Sequence, residues 1–293
     1  MIKHVETDVL RIAYAESGAA DGTPVVLLHG FPYDIHAYDA VAPALVAAGC
    51  RVLVPFLRGF GPTSFLAPAT PRSGQQAALA HDLLELLDAL EIERAVLAGY
   101  DWGGRAACIV AALWPERVRG LVSGAGYNIQ HIPSANTPQL PELEMQLWYQ
   151  YYFHGERGRE GLRLYRRELC QLLWRLWSPS WRFDAATYQQ TAISFDNPDF
   201  VEVVIHSYRH RFGLVSGDPA YEATERKLTG LPRITVPTIV LHGSDNGVLP
   251  AAGSEEHHRF FGSAYERRLL PEVGHNLPQE APLAFAAAML ALL

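Results

Sequence analysis

The chain is 293 residues long, 49% hydrophobic and 19% charged, with a mean hydropathy near zero and a formal net charge of −7. That balance fits one large α/β domain with room for an inserted subdomain, and it argues against nucleic acid as a partner because no basic block is present to neutralise phosphate. Cys50, Cys108 and Cys170 are odd in number and far apart, no run of about 18 apolar residues offers a bilayer span, and the N-terminus lacks an apolar signal core. The expectation is a cytoplasmic protein with no membrane association, no disulfide framework and no metal.

Residues 3–16 alternate as a pair of strands would. Residues 24–28 and 51–55 are short β-branched runs ending in Gly/Pro-rich loops, as buried parallel strands do, with a helix expected between them over 38–48. Residues 74–91 carry Leu79, Leu83, Leu86 and Leu87 on one helical face. A strand at 95–99, a helix at 103–113 and a strand at 118–123 follow, so the alternation predicts right-handed crossovers around a mostly parallel, doubly wound sheet. The rhythm stops near Gly124. Residues 128–230 are rich in Trp, Tyr, Arg and Leu and helical in pattern, which reads as a helical lid inserted between two sheet strands. The core is then 1–127 and 231–293, closing with a strand at 236–241, a helix at 255–261, a strand at 266–270 and a helix at 282–292.

Chemistry-bearing residues cluster where strands end. An apolar run breaks at Gly99-Tyr100-Asp101-Trp102-Gly103 into a small-residue helix. This is the strand, sharp turn and helix of a nucleophile elbow, with Asp101 where serine hydrolases carry serine. A carboxylate there needs no deprotonation and attacks saturated carbon by displacement, leaving an ester for water to cleave. His29-Gly30-Phe31-Pro32 follows another strand and can turn a backbone N–H toward an oxyanion. Gly274-His275-Asn276 puts a histidine after the last strand. The loop Gly243-Ser244-Asp245-Asn246 supplies the acid expected to receive Nδ1–H from that histidine, and Asp245 is the candidate. Arg105 reads as an ion-paired helix residue, Arg58 as a loop brace, and His29 and His242 as hydrogen-bonded scaffold.

Together, His-Gly-Phe-Pro, Arg58-Gly59-Phe60-Gly61, Gly-Tyr-Asp-Trp-Gly-Gly and the late Gly-His resemble the α/β-hydrolase-fold epoxide hydrolases, whose near relatives are the haloalkane and haloacetate dehalogenases. The resemblance implies an α/β-hydrolase fold in which Asp101 opens an epoxide and water activated by His275, backed by Asp245, releases a vicinal diol. It implies backbone N–H groups of Phe31 and Trp102 as the oxyanion hole. It also implies two lid tyrosines that protonate the departing oxygen. Tyr149-Gln150-Tyr151-Tyr152-Phe153 resembles the segment holding the first, placing it at Tyr152, and Ser207-Tyr208-Arg209 places the second at Tyr208. Phe31, Trp102 and Tyr151 are the expected substrate contacts, no cofactor is implied, and the expected partners are a small hydrophobic epoxide and water, with a homodimer left open.

Two departures from the family pattern matter. In many relatives the acid stands three residues after the loop glycine, where this chain has Asn246. Haloalkane dehalogenases usually carry asparagine after His-Gly, and haloacetate dehalogenases carry arginine directly after the nucleophile to grip a carboxylate; this chain has Phe31 and Trp102 there, and only Arg105 matches the second arginine of the haloacetate dehalogenases. A hydrolytic dehalogenase using the same aspartate and a catalytically silent ligand-binding protein are the alternatives.

Overall fold

The computed structural model describes residues 2–293. Strands β1 (Ile2–Glu6) and β2 (Leu10–Ser17) form the antiparallel margin of the sheet. After β3 (Thr23–Leu28) come α1 (Ala42–Ala47), β4 (Cys50–Pro55), the short β5 (Ser64–Phe65), α2 (Gln76–Ala89), β6 (Ala95–Gly99), α3 (Asp101–Leu113) and β7 (Val118–Gly124). Six helices then intervene: α4 (Pro141–Gln146), α5 (Trp148–His154), α6 (Glu156–Trp177), α7 (Ala185–Ala192), α8 (Phe200–His210) and α9 (Glu222–Leu228). The chain closes with β8 (Thr238–Gly243), β9 (Tyr265–Leu270), α10 (Leu277–Glu280) and α11 (Pro282–Leu290).

The strands run in the order β1-β2-β4-β3-β6-β7-β8-β9, with β5 paired to β2, and every pairing among β3, β4 and β6 to β9 is parallel. This is the α/β-hydrolase architecture. All of β6 and β8 is buried, which is why those strands read as continuous apolar runs; β9, at the margin, alternates Glu, Arg and Leu with partial exposure.

Local differences from the sequence expectations have identifiable causes. The helix expected over 38–48 splits into a 3₁₀ turn at Ile35–Tyr38 and α1, because Pro43 fits only the first turn of a helix, and α1 therefore begins just before it. The segment expected as a helix over 255–261 is a 3₁₀ stretch, Ala251–Phe260, in which Ser254 alone is buried. With no apolar face to pack, it gains nothing from regular α geometry.

Buried polar clasps hold the inserted helices to the core. The Asp34 carboxylate accepts hydrogen bonds from Thr191 Oγ1 (3.0 Å) and Ser194 Oγ (2.6 Å), and Asn197 Nδ2 donates to the Gly61 and Thr63 carbonyls (2.8 and 2.7 Å). Trp174, fully buried on α6, donates its indole N–H to Pro32 O at 2.8 Å and stacks on Trp181. Truncating it to alanine would cost about 3–5 kcal/mol. Arg58 is a brace, as expected: its guanidinium forks onto Asp82 of α2 at 2.6 and 2.5 Å and reaches the Ser73 carbonyl.

Candidate active site

Strand β6 hands over to α3 through a turn so tight that Asp101 takes φ +51°, a left-handed conformation costing about 1–3 kcal/mol for a residue with a side chain. Two glycines make the turn sterically feasible. A Cβ on Gly103 would lie 2.2 Å from Leu28 O, and one on Gly30 would lie 2.4 Å from Asp101 Cβ. The carboxylate thus stands at the N-terminus of α3 with the Phe31 N–H donating to Oδ1 at 2.8 Å. Burial pushes its pKa up, but His275, Arg105 and the Trp102 N–H outweigh burial and hold it below the ordinary 3.8. It is ionised at neutral pH, as a carboxylate nucleophile must be.

Aromatic side chains from the inserted helices cover this carboxylate. Tyr208 of α8 is fully buried, with its ring 5.5 Å from Phe31 and 6.1 Å from Trp102 between centroids. The ring that meets it edge to face, at 5.4 Å, belongs to Tyr149 of α5. Burial, with the nearby Asp101 charge adding to it, raises the Tyr149 phenol to about 12, and burial likewise raises Tyr208. Both stay protonated. The expectation that Tyr152 is the partner of Tyr208 is therefore corrected. Tyr152 packs on Trp148, and its hydroxyl fills the space a side chain at Gly161 would need, at the corner of α5 and α6. Three tyrosines in five residues left the helical turn ambiguous, and the close approach at Gly161, invisible in sequence, resolves it. Tyr151, expected against the substrate, is 41% exposed and donates its hydroxyl to Glu144.

His275 lies in the loop after β9, 2% exposed, its N–H shared between Trp177 O (3.1 Å) and Ser178 Oγ (3.0 Å) at the end of α6. Nε2 is 3.7 Å from Asp101 Oδ2, too long for a hydrogen bond, and has no other partner among the described residues. The side chain on Nδ1 is Asn246, whose Nδ2 lies 3.2 Å away. Its Oδ1 is occupied as acceptor from the Val248 and Leu249 N–H groups at 3.2 and 3.0 Å, so the amide presents a donor to the imidazole. Asp245, expected in that place, is on the surface with Ser180 and Ser244 as partners. Ser244 and Asp245 form the turn that follows β8, and the chain comes back inward only at Asn246.

Sequence reasoning passed over a carboxylate beside the histidine, Glu280. Its two oxygens accept from the Gly274 N–H (2.7 Å), the Asn276 N–H (2.9 Å) and Ser178 Oγ (2.6 Å), clamping both neighbours of His275. Attention to strand ends alone passed over an acid five residues past the histidine, on α10.

His29 and His242 are scaffold. His29 accepts from the Leu57 N–H and contacts the Gly30 carbonyl, His242 bonds Ser254 and the Leu249 carbonyl, and burial lowers each to about 4. Among the described residues no three His, Cys, Asp or Glu side chains converge as metal ligands would. Among the described residues no helix is long and apolar enough to cross a membrane.

A cavity of about 830 Å³ opens beside the site, walled by Arg105, Gln150, Tyr151, Arg211 and Val248 among others. It meets α3 at Arg105, one turn beyond Asp101, rather than at Asp101 itself. Arg105 is not ion-paired as expected; its Nη1 donates to Gln130 Oε1 at 2.9 Å.

A family model described as the alpha/beta hydrolase fold matches residues 23–282. A solved Klebsiella pneumoniae protein, provisionally named an epoxide hydrolase, superposes with a TM-score of 0.97 at 48% identity, covering 99% of this chain and 96% of that one. Epoxide hydrolase A of Mycobacterium tuberculosis is 26% identical over 99% of this chain and 96% of its own length. Epoxide hydrolase 3 of Siraitia grosvenorii is 33% identical, but over 49% of this chain and 43% of that protein.

Proposed function

The chain belongs to the alpha/beta hydrolase fold family and is an epoxide hydrolase-like enzyme, and from that premise we propose that it opens epoxides with water through a covalent ester on Asp101. The observation that carries the reading is the pair of protonated tyrosines, Tyr149 and Tyr208, beside an ionised, backbone-held aspartate. An Asp101 oxygen attacks an epoxide carbon, the C–O bond breaks, and the departing oxygen takes a proton from a phenol. An alkoxide is a poor leaving group, and a buried phenol near pKa 12 is still acidic enough to protonate it. The second half is hydrolysis. Water attacks the ester carbonyl and gives a proton to His275, the Phe31 and Trp102 N–H groups hold the oxyanion, the departing alkoxide takes that proton and leaves as the diol, and the proton of the carboxylic acid so formed restores the phenol as the carboxylate returns. The inserted helices act as the lid over this chemistry.

His275 is the base for that water, and here the site works against itself. To accept a proton at Nε2, the imidazole must carry its own proton on Nδ1, which sets N–H against the Asn246 amide N–H. Rotating the amide would surrender two backbone hydrogen bonds, a net loss of about 1–3 kcal/mol. Ester hydrolysis is therefore the slow half-reaction. The buried negative charge of Glu280 is what remains to stabilise an imidazolium.

Dehalogenation is the second reading, favoured by one observation: the Trp102 indole N–H is buried without a partner, as a halide donor would be. A panel of epoxides and haloalkanes with diol and halide readouts tests both. Diol formation lost in Tyr149→Phe/Tyr208→Phe supports the epoxide reading, and halide release at comparable rates overturns it. A single turnover in oxygen-18 water should label Asp101; turnover without label defeats both.

A further inference from the structure

Helix α5 reads Trp-Tyr-Gln-Tyr-Tyr-Phe-His, and Gln150 is its one side chain without a ring. Gln150 is also buried, where an amide left without partners is costly. Its Nε2 donates to the Tyr149 hydroxyl at 3.1 Å. Sequence neighbours on a helix point about 100° apart, so the bond is no by-product of adjacency: both side chains must swing to one side to make it. On its other side Gln150 is part of the wall of the cavity beside the site, together with Arg105 and Arg211. Two guanidinium groups on that wall favour the carbonyl end of the amide on the cavity side, which leaves its N–H₂ end for the phenol.

That orientation matters for proton donation. A phenol that accepts a hydrogen bond keeps its own proton available. With the amide turned round, Tyr149 would donate to Oε1 and the proton needed by the departing oxygen would be tied up. Gln150 also meets the charge that the reaction creates. When the epoxide C–O bond breaks and Tyr149 gives its proton to the departing oxygen, a phenolate remains in a buried space walled by Phe153, Trp177 and Tyr208. A hydrogen bond to a charged oxygen is roughly twice as strong as one to a neutral hydroxyl. The amide therefore binds more tightly after proton transfer than before it, which is the condition for speeding the step. Among the groups acting on the Tyr149 phenol, burial and the Asp101 charge push its pKa up, while Arg211 and the Gln150 amide pull it down.

We infer that Gln150 is a positioning residue for proton donation: its amide N–H holds the Tyr149 oxygen, leaves the phenol proton free for the departing epoxide oxygen, and stabilises the phenolate until ester hydrolysis returns the proton. This rests on the epoxide reading for the step it serves, whereas the hold on the phenol can be measured without any substrate.

The first experiment is a double-mutant cycle of Gln150→Met, which keeps the length and loses the donor, with Tyr149→Phe. Ester formation from styrene oxide is followed by rapid quench and peptide mass. Gln150→Met should slow it about tenfold when Tyr149 is present and by less than about twofold in Tyr149→Phe. Equal slowing in both backgrounds would mean that Gln150 only packs, and overturns the proposal. The second uses 2,3,5-trifluorotyrosine at position 149, whose ring fluorines bring the phenol into a pH range that the folded chain tolerates, titrated by fluorine NMR with no substrate present. Gln150→Met should raise that phenol pKa by about one unit, and an unchanged or lowered value overturns the proposal. If neither styrene oxide nor the other epoxides of the panel form an ester yet the shift appears, the hold on the phenol stands and the epoxide reading is what fails. Should Gln150→Met fail to fold, Gln150→Glu keeps the shape. Its carboxylate can only accept from the phenol, so ester formation should drop at least about tenfold at neutral pH and recover relative to the wild type as that carboxyl is protonated and regains a donor. A pH profile parallel to the wild type counts against the proposal.

Discussion

The proposed nucleophile and the proposed base stand at the ends of strands in one sheet, but they are held in different ways. Asp101 is gripped by backbone: the elbow glycines, the Phe31 N–H and the first turn of α3. Apart from the glycines themselves, no side chain is needed for that grip. His275 is held by side chains and by α6, an inserted helix, with Asn246, Ser178 and Glu280 around it. One position is defined by backbone; the other depends on a neighbouring side chain, where one letter (Asn246) sets an amide donor rather than an acceptor against Nδ1. The difference predicts an enzyme fast to alkylate and slow to hydrolyse.

The largest test breaks the stronger side. Asp101→Asn removes the nucleophile and should lower epoxide turnover by at least about 10⁴-fold, measured as diol formation. Next come the proton donors. Tyr149→Phe/Tyr208→Phe should cost about 10²- to 10⁴-fold in the rate of ester formation, read by rapid quench and peptide mass. Tyr152→Phe, at the α5–α6 corner, should stay within about threefold of wild type in the same assay, and a large loss there would return Tyr152 to the site.

Repairing the weaker side sharpens the contrast. Asn246→Asp offers Nδ1 an acceptor and should shorten the lifetime of the alkyl-enzyme at least about tenfold, as followed by intact mass during turnover. Asp245→Asn should leave that lifetime unchanged. An unaltered ester lifetime in Asn246→Asp would show that the amide does not limit hydrolysis.

The smallest expected effects concern pH. Because the Asp101 pKa is depressed, stopped-flow alkylation should fall off at a lower pH than it would for a carboxylate titrating at 3.8. Stability behaves in the opposite sense. His29 and His242 are held neutral with values near 4, whereas the unfolded chain takes up protons from pH 6.5 downward. Each should cost on the order of 2–3 kcal/mol by pH 4, seen as a falling Tm between pH 6.5 and 4. A flat Tm over that window would contradict the burial of both rings.

Much of this was readable from residues alone. The parallel strands were visible as apolar runs because both faces of such a sheet are covered, and the elbow was visible because only glycines tolerate its backbone contacts. Those are short-range constraints, and they leave marks on neighbouring letters. The sequence could place Asp101, Phe31, Tyr208 and His275 at element ends or on a helix for the same reason. It could not choose Tyr149 over Tyr152, because the choice depends on how α5 meets Gly161 of α6. Nor could it choose Asn246 over Asp245, since which of two adjacent loop residues turns inward depends on the hydrogen bonds of Asn246 Oδ1 to Val248 and Leu249. Local backbone geometry is written in sequence, whereas the company a side chain keeps is decided when the elements pack.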